Sequence, residues 1–460
     1  MLNRWRGHSS SCSPLRLGTF VVGLILLFFI PIRSVHAEGI LDVYRLAIEN
    51  DPAYKAARFS HEASKETLSQ AWAAFQPTIS AEGIYTNTDQ KILSSDNTVY
   101  GHGSASFPTT EYSVSLIQPL FNMSSLSNLF RAKARVKAAD MGMEAARQDL
   151  IVRVTKAYLG GLAARDKLAL AKTEEASVEM HYELASGKYK MGLTPKTDYL
   201  DAKARMAEVR ANRITAESVQ DDALQALREV TGMPAGDLAG LRVDLPLKNP
   251  EPNDIEAWIS AAVKQNPTLE AQRQAVEAAR QEYKRQLAGH YPMLNFEAGY
   301  TYNETEGTLF GGGSEVETTD ILLRLNVPIF EGGIVRSRSR EAYNLYLAAI
   351  QEQERQLRAL QKETRAAYYG VADAMERATA LREAVEAQEL VVQAKQDGYK
   401  SGLFTLLAVL DSQRDLTLVR QDYATARYDY VANSLRLKKA VGTLAQSDIE
   451  IVQGWLEDGK

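Results

Sequence analysis

The sequence holds a single cysteine, Cys12. No disulfide can form within one chain, and a thiolate-built metal site finds no ligands. Histidine is nearly as scarce: His61, His102, His181 and His290 are all that follow the first 37 residues, without ligand-like spacing. No GxxxxGK[ST], HExxH, CxxC or GxSxG motif occurs. Phosphate cradles, zinc proteolysis, thiol redox chemistry and the nucleophile elbow therefore lack their residues. There is no positive excess either: 53 Lys and Arg stand against 58 Asp and Glu, a net charge of −5. That balance argues against a nucleic-acid partner. Beyond the N-terminal region no apolar run approaches the ~20 residues of a membrane-spanning helix.

Residues 1–37 differ in kind from the rest. Arg4, Arg6 and Arg16 precede an apolar run from Phe20 to Ile30 and a small-x-small site, Val35-His36-Ala37. This is the pattern of a secretory signal peptide cleaved after Ala37. The run of about 11 apolar residues is too short to span a bilayer. Cys12 lies ahead of the run, so it cannot become a lipid-modified first residue of the mature chain. Cleavage removes four Arg and no acid, leaving 49 basic against 58 acidic side chains. An exported chain without a spanning helix is a soluble periplasmic protein, a secreted protein or a β-barrel.

What is present is a duplication. AIENDP (47–52) matches AVKQNP (262–267), and QPTISAEGIYT (76–86) matches YPMLNFEAGYT (291–301), both at an offset of 215. QPLFN (118–122) matches VPIFE (327–331) at 209. Ala157-Tyr158 matches Ala367-Tyr368, YKMGL (189–193) matches YKSGL (399–403), and REVTG (228–232) matches KKAVG (438–442), all at 210. So many anchors in one order define two copies of one unit. The expected organisation is a signal peptide (1–37), a first repeat (38–232), a linker (233–253), a second repeat (254–442) and a C-terminal tail (443–460).

Each copy reads as helix, two strands, a very long helix, a tip and a helix. Leu129, Val136, Met143, Leu150, Ala157, Ala164, Ala171, Val178 and Ala185 are seven apart. Tyr343, Ile350, Leu357, Thr364, Val371, Ala378, Val385 and Val392 repeat the spacing with one polar lapse. This is a coiled-coil seam, and its many Ala residues permit close packing. Each stretch of about 60 residues reaches on the order of 90–100 Å at 1.5 Å per residue, longer than a globular domain needs.

Strands are expected at about 78–90, 110–119, 293–303 and 318–328, with tips at about 190–196 and 400–406. Leu294, Phe296, Ala298, Tyr300 and Tyr302 alternate with polar residues, as do Ile321, Leu323, Leu325 and Val327. Ile79, Ala81, Gly83 and Tyr85, then Tyr112, Val114 and Leu116, repeat the pattern more weakly. Any half-buried strand alternates in this way. Here aromatics sit near the strand ends and a signal peptide occurs without a spanning helix, which together favour transmembrane β-strands. Four strands cannot close a barrel, and an open edge in lipid costs several kcal/mol per unpaired backbone group. Such strands must pair between chains. Pro77 and Pro292 precede the outgoing strands, and Pro119 and Pro328 end the returning ones, where a residue without a donor suits a change from ladder to helix. The loops 87–110 and 304–318 are then external.

With the duplicated unit, QPLFN and VPIFEGG at the turns, and the YKMGL and YKSGL tips, the chain resembles the TolC family of outer-membrane efflux proteins over nearly its whole mature length. The resemblance implies a mainly α fold with a transmembrane β-barrel portion. Three chains would form a twelve-stranded outer-membrane barrel, continued by a periplasmic α-helical barrel. It implies an exit duct for an inner-membrane exporter, ABC or proton-driven, and its periplasmic adaptor. No cofactor is implied. The tips would close the tunnel at rest and meet the adaptor through Gly192, Leu193 and Thr194 in copy one and Gly402, Leu403 and Phe404 in copy two. Pore-facing Asp rings of the family match Ala408 and Asp411, so one ring survives here. A family latch sets an Asp matching Asp198 against a Tyr and an Arg. Tyr399 fits the Tyr, and Phe404 stands at the Arg position, so the latch here is expected to be weaker or apolar. Asp198 and Asp411 would line the constriction, though an acid near a helix start is also favoured by the macrodipole alone.

Two other readings remain at this level. A periplasmic adaptor or coiled-coil scaffold without its own pore also carries long helical hairpins, but normally a single hairpin between small β-domains. An exported coiled-coil enzyme would need a catalytic set that the sequence lacks. Within the duct reading, type I protein secretion and small-molecule efflux are both open.

Overall fold

The computed structural model describes residues 38–94, 103–234, 236–242, 244–307 and 312–457. The expected signal peptide and parts of both expected external loops lie outside the described residues. In chain order the elements are α1 (Ile40–Asn50), α2 (Pro52–Ala73), β1 (Thr78–Ile92), β2 (Gly103–Asn122), α3 (Met123–Lys190) and α4 (Lys196–Thr231). The second copy follows with α5 (Ile255–Gln265), α6 (Pro267–Leu287), a single 3-10 turn (Ala288–His290), β3 (Met293–Thr305), β4 (Ser314–Asn326), α7 (Ile334–Lys400) and α8 (Leu406–Val441). A short α9 (Gln446–Gln453) comes last.

The repeated Asp/Asn-Pro dipeptides explain how each copy begins. Asp51 and Asn266 are N-caps: their side chains accept from the amides of Tyr54 and Leu269 at 2.7 and 3.0 Å. Pro52 and Pro267 follow at the first helical position, where a missing N–H costs nothing. Asp51 is also bound by both terminal nitrogens of Arg153, whereas Asn266 donates to the carbonyl of Ala440 at 2.9 Å. One position thus anchors both repeats to the long helices by different chemistry.

The helices form one layer. Its upper part runs α2, α3, α6, α7 and its lower part α4, α3, α8, α7. The heptad seam of α3 faces inward: Leu129, Leu150, Ala164, Ala171, Val178 and Ala185 are buried. Thr364, the polar lapse in the α7 seam, is fully buried and satisfies its hydroxyl on the carbonyl of Leu360 at 2.8 Å. Tyr343, at the start of that seam, is exposed.

The main core lies at mid-length. Tyr44, Leu150, Tyr158, Leu162, Val431 and Ile449 pack there. The linker and the C-terminal segment join it. Leu238 and Leu241 are buried and bridge to Glu38 and Leu456, and α9 buries Ile449 and Val452. The repeat-matched Tyr158 and Tyr368 pin the flanking segments: Tyr158 donates to the carbonyls of Glu38 and Ala239, and Tyr368 to Asn253.

The four strands form one antiparallel sheet in the order β1-β2-β3-β4. β2 starts at Gly103, earlier than its residue pattern suggests. The stretch Ser104–Ser106 is made of small residues without clear alternation, and its ladder with β1 is what defines it. Pro119 does not end β2. The register shifts between Pro119 and Phe121 and the strand continues to Asn122, because a bulge absorbs the missing donor. Pro77 and Pro292 stand immediately before β1 and β3, and Pro328 lies two residues past β4.

Candidate pore and tip sites

The two tips are built alike. In copy one the amide of Gly192 donates to the Tyr189 carbonyl at 3.0 Å and that of Leu193 to Lys188 at 2.9 Å. In copy two Gly402 donates to Tyr399 at 3.1 Å and Leu403 to Gly398 at 2.7 Å. This is the Schellman pairing, with its glycine left-handed at φ +72° and +75°. The motif usually folds the following apolar residue back onto the helix. Here Leu193 is 70% and Leu403 79% exposed. Each tip thus presents a leucine to its surroundings.

Past the glycines the tips diverge. Thr194 donates to Asp198 at 2.8 Å, so Asp198 closes its own turn. Phe404 folds over Gly398, and a β-carbon there would come within 2.4 Å of the ring. Thr405 caps α8 by accepting from the Ala408 amide at 3.2 Å. Asp198 and Tyr399 are not joined within the chain. Tyr399 meets Lys188 of the first hairpin instead, with Nζ 3.5 Å from the phenol oxygen and 5.4 Å from the ring centre. Lys188 occupies the repeat position of Gly398. Only the folded pair shows this link, since no local pattern marks Lys188 among the basic residues of α3. Tyr182, Tyr189 and Tyr199 stack alongside, with ring centres 6.0 and 5.1 Å apart. Behind them Val178, Ala185, Ala202, Met206, Leu406 and Leu410 pack the two hairpins together.

Asp411 is exposed on the first turns of α8, and Ala408 leaves the neighbouring turn uncharged. Asp201, the repeat counterpart of Asp411 at 210, is exposed at the same height on α4. The internal offset identifies Asp201, a residue that the tip motif alone does not reveal.

At the other end the sheet separates its chemistry by face. Ile79, Leu116, Ala298 and Ile321 form one cross-strand row, and Gly83, Tyr112, Tyr302 and Glu317 another on the same face; these two rows are apolar apart from that glutamate near the loop end. The opposite face carries the rows Glu82, Ser113, Thr301, Thr318 and Ser80, Ser115, Gly299, Asp320. Arg324 donates to Glu297 on that polar face at 2.8 Å. Along each strand the two faces alternate, as a wall between lipid and water requires. Among the described residues no helix is long and apolar enough to cross a membrane.

The outer membrane efflux protein model matches residues 43–233 and 258–443, one match per copy. Outer membrane protein TolC of Vibrio cholerae is 30% identical over 431 residues, which cover 93% of this chain and 96% of that protein. The alkaline protease secretion protein AprF of Pseudomonas aeruginosa is 28% identical, over 95% of this chain and 91% of its own. The Campylobacter jejuni CmeC outer membrane channel superposes with a TM-score of 0.77 at 16% identity, over 91% and 90% of the two chains. With that model spanning both copies, the chain belongs to the outer membrane efflux protein family.

Proposed function

We propose that three copies of this chain close into an outer-membrane exit duct that is passive and gated at its periplasmic tips. The observation carrying this is that sheet and helical layer are open at the same time. β1 and β4 each have one unpaired edge, and α2, α4 and α7 lie on the flanks of the helical layer. An open edge in lipid is prohibitive, so β4 of one copy pairs with β1 of the next while the flanking helices meet below. The apolar sheet face meets lipid and the polar face lines the lumen. Leu193 and Leu403, with Gly192, Thr194, Gly402 and Phe404, meet a periplasmic adaptor. An inner-membrane exporter, ABC or proton-driven, supplies the energy and selects the cargo. Both protein secretion and solvent efflux are represented among the relatives, by AprF and by the toluene efflux pump protein TtgF of Pseudomonas putida. Asp411 forms an acidic ring just behind the tips and disfavours anions.

The test is single-channel conductance of the purified mature trimer in a planar bilayer. Small cation-selective steps that grow when the tips are altered support the duct. A soluble monomer without conductance would return the chain to the class of pore-less periplasmic scaffolds.

A further inference from the structure

Ile329 and Phe330 are 96% and 85% exposed, the highest values among large apolar side chains of the described residues. They lie three and four residues past β4, beyond the end of the sheet's apolar face. Immediately beyond, Arg336, Ser339, Arg340 and Tyr343 stand at i, i+3, i+4 and i+7 of α7, one stripe of the helix. The first turn of α7 holds no acid. Arg336 sits in that turn, against the positive end of the helix dipole, where an anion is favoured instead. In the single chain both arginines are exposed, and among its described residues neither has an ion-pair or hydrogen-bond partner. The contrast with copy one is direct. Arg131, the counterpart of Arg340 at 209, is closed by Glu282 and Asn128.

A second observation is independent of charge. Ser339 is only 7% exposed, and its buried hydroxyl has no partner. It lines a cleft between α6 and α7 with His290, Arg336, Arg340 and the Tyr283–Tyr343 pair, whose ring centres are 5.3 Å apart. An adjoining concavity shares Arg336 and His290 and is walled by Ile329 and Phe330, with Glu331 its one acid. The site thus sets two guanidiniums and a free hydroxyl beside exposed apolar and aromatic groups.

We infer that this cleft binds the phosphate headgroup of an anionic phospholipid in the inner leaflet, with its acyl chains against Ile329 and Phe330. The inference rests on the membrane reading proposed above. Guanidinium forks match phosphate oxygens, basic pockets at the bilayer edge hold anionic headgroups, and tyrosines favour the same level. A free phosphate would use the arginines and leave the apolar wall idle.

Native mass spectrometry of the detergent-purified trimer, incubated with phosphatidylglycerol, phosphatidylethanolamine or inorganic phosphate, tests it. Phosphatidylglycerol adducts should be retained at least ~5-fold over phosphatidylethanolamine, and R336Q/R340Q should abolish that difference. R336K/R340K, which keeps the charge and loses the fork, should fall below the native protein and serves if the Gln pair does not assemble. Undiminished retention by the altered trimers overturns the site. Displacement by equimolar inorganic phosphate overturns the lipid as its occupant. Conductance recorded on the same samples separates the two proposals: trimers that stay silent even with altered tips count against the duct, and a lost lipid preference counts against the cleft alone.

Discussion

Asp51 and Glu282 show how single carboxylates hold the long helices in place. Asp51 is 3% exposed, and the Arg153 guanidinium beside it keeps its carboxyl below the ordinary range. Asp51→Ala removes a cap and leaves Arg153 with Asp149 as its one carboxylate partner, which should cost about 2 kcal/mol, read from thermal melting of the trimer. Glu282 is held down to about 2 from 4.5, by Arg285 first and then by Gln286 and Arg131. A depressed carboxylate contributes stability above its unfolded value and loses it as pH falls through the folded one. The melting temperature should therefore drop between pH 4.5 and about 2, in step with those two values. Glu282→Gln should lower it at neutral pH by about 2 kcal/mol equivalent and flatten the acid drop. A native-like acid profile in that variant would rule out the pair as its source. Asp411→Asn should weaken cation selectivity, and an unmoved reversal potential would take Asp411 out of the constriction.

In the proposed duct the hairpin is the element that gates. Its two tips share a backbone motif and differ in the side chains that follow, Thr194 with Asp198 in one and Phe404 over Gly398 in the other. Lys188 against Tyr399 is the polar contact that crosses between them. A cation over a half-buried aromatic ring such as Tyr399 contributes about 1 kcal/mol, and three copies act on one aperture. Lys188→Ala should raise open probability severalfold without disturbing assembly, and unchanged gating would show that the link holds nothing shut. Gly398→Leu should displace Phe404 from its seat and loosen copy two alone.

At the scale of the molecule, stability and closure are the same problem. The chain alone leaves strand edges and helix flanks uncovered, and only further copies cover them. A charge on the apolar sheet face tests this. Leu323→Arg should cost ~2–4 kcal/mol near the bilayer midplane and deplete the trimer from outer membranes, whereas Thr301→Arg on the polar face should assemble and alter conductance. Equal assembly of both would mean that the two faces have been assigned wrongly.

Much of this was legible in the residues. Duplication, heptad seams, strand alternation and the glycine tips are periodic or local, and backbone geometry translates them directly into repeats, long helices, faces and Schellman turns. Ladder length and contacts between distant segments were not. β2 begins at Gly103 because β1 pairs with it, and Pro119 sits inside a strand because a bulge takes up its missing donor. The linker and α9 are core because Leu238, Leu241, Ile449 and Leu456 find one another across some 200 residues. Lys188 reaches Tyr399, and Ser339 lies unpartnered beside two arginines, only once the helices are packed. Local patterns determine the elements and their faces. Which side chains meet across elements, and which polar groups are left without partners, depends on how those faces are brought together in space.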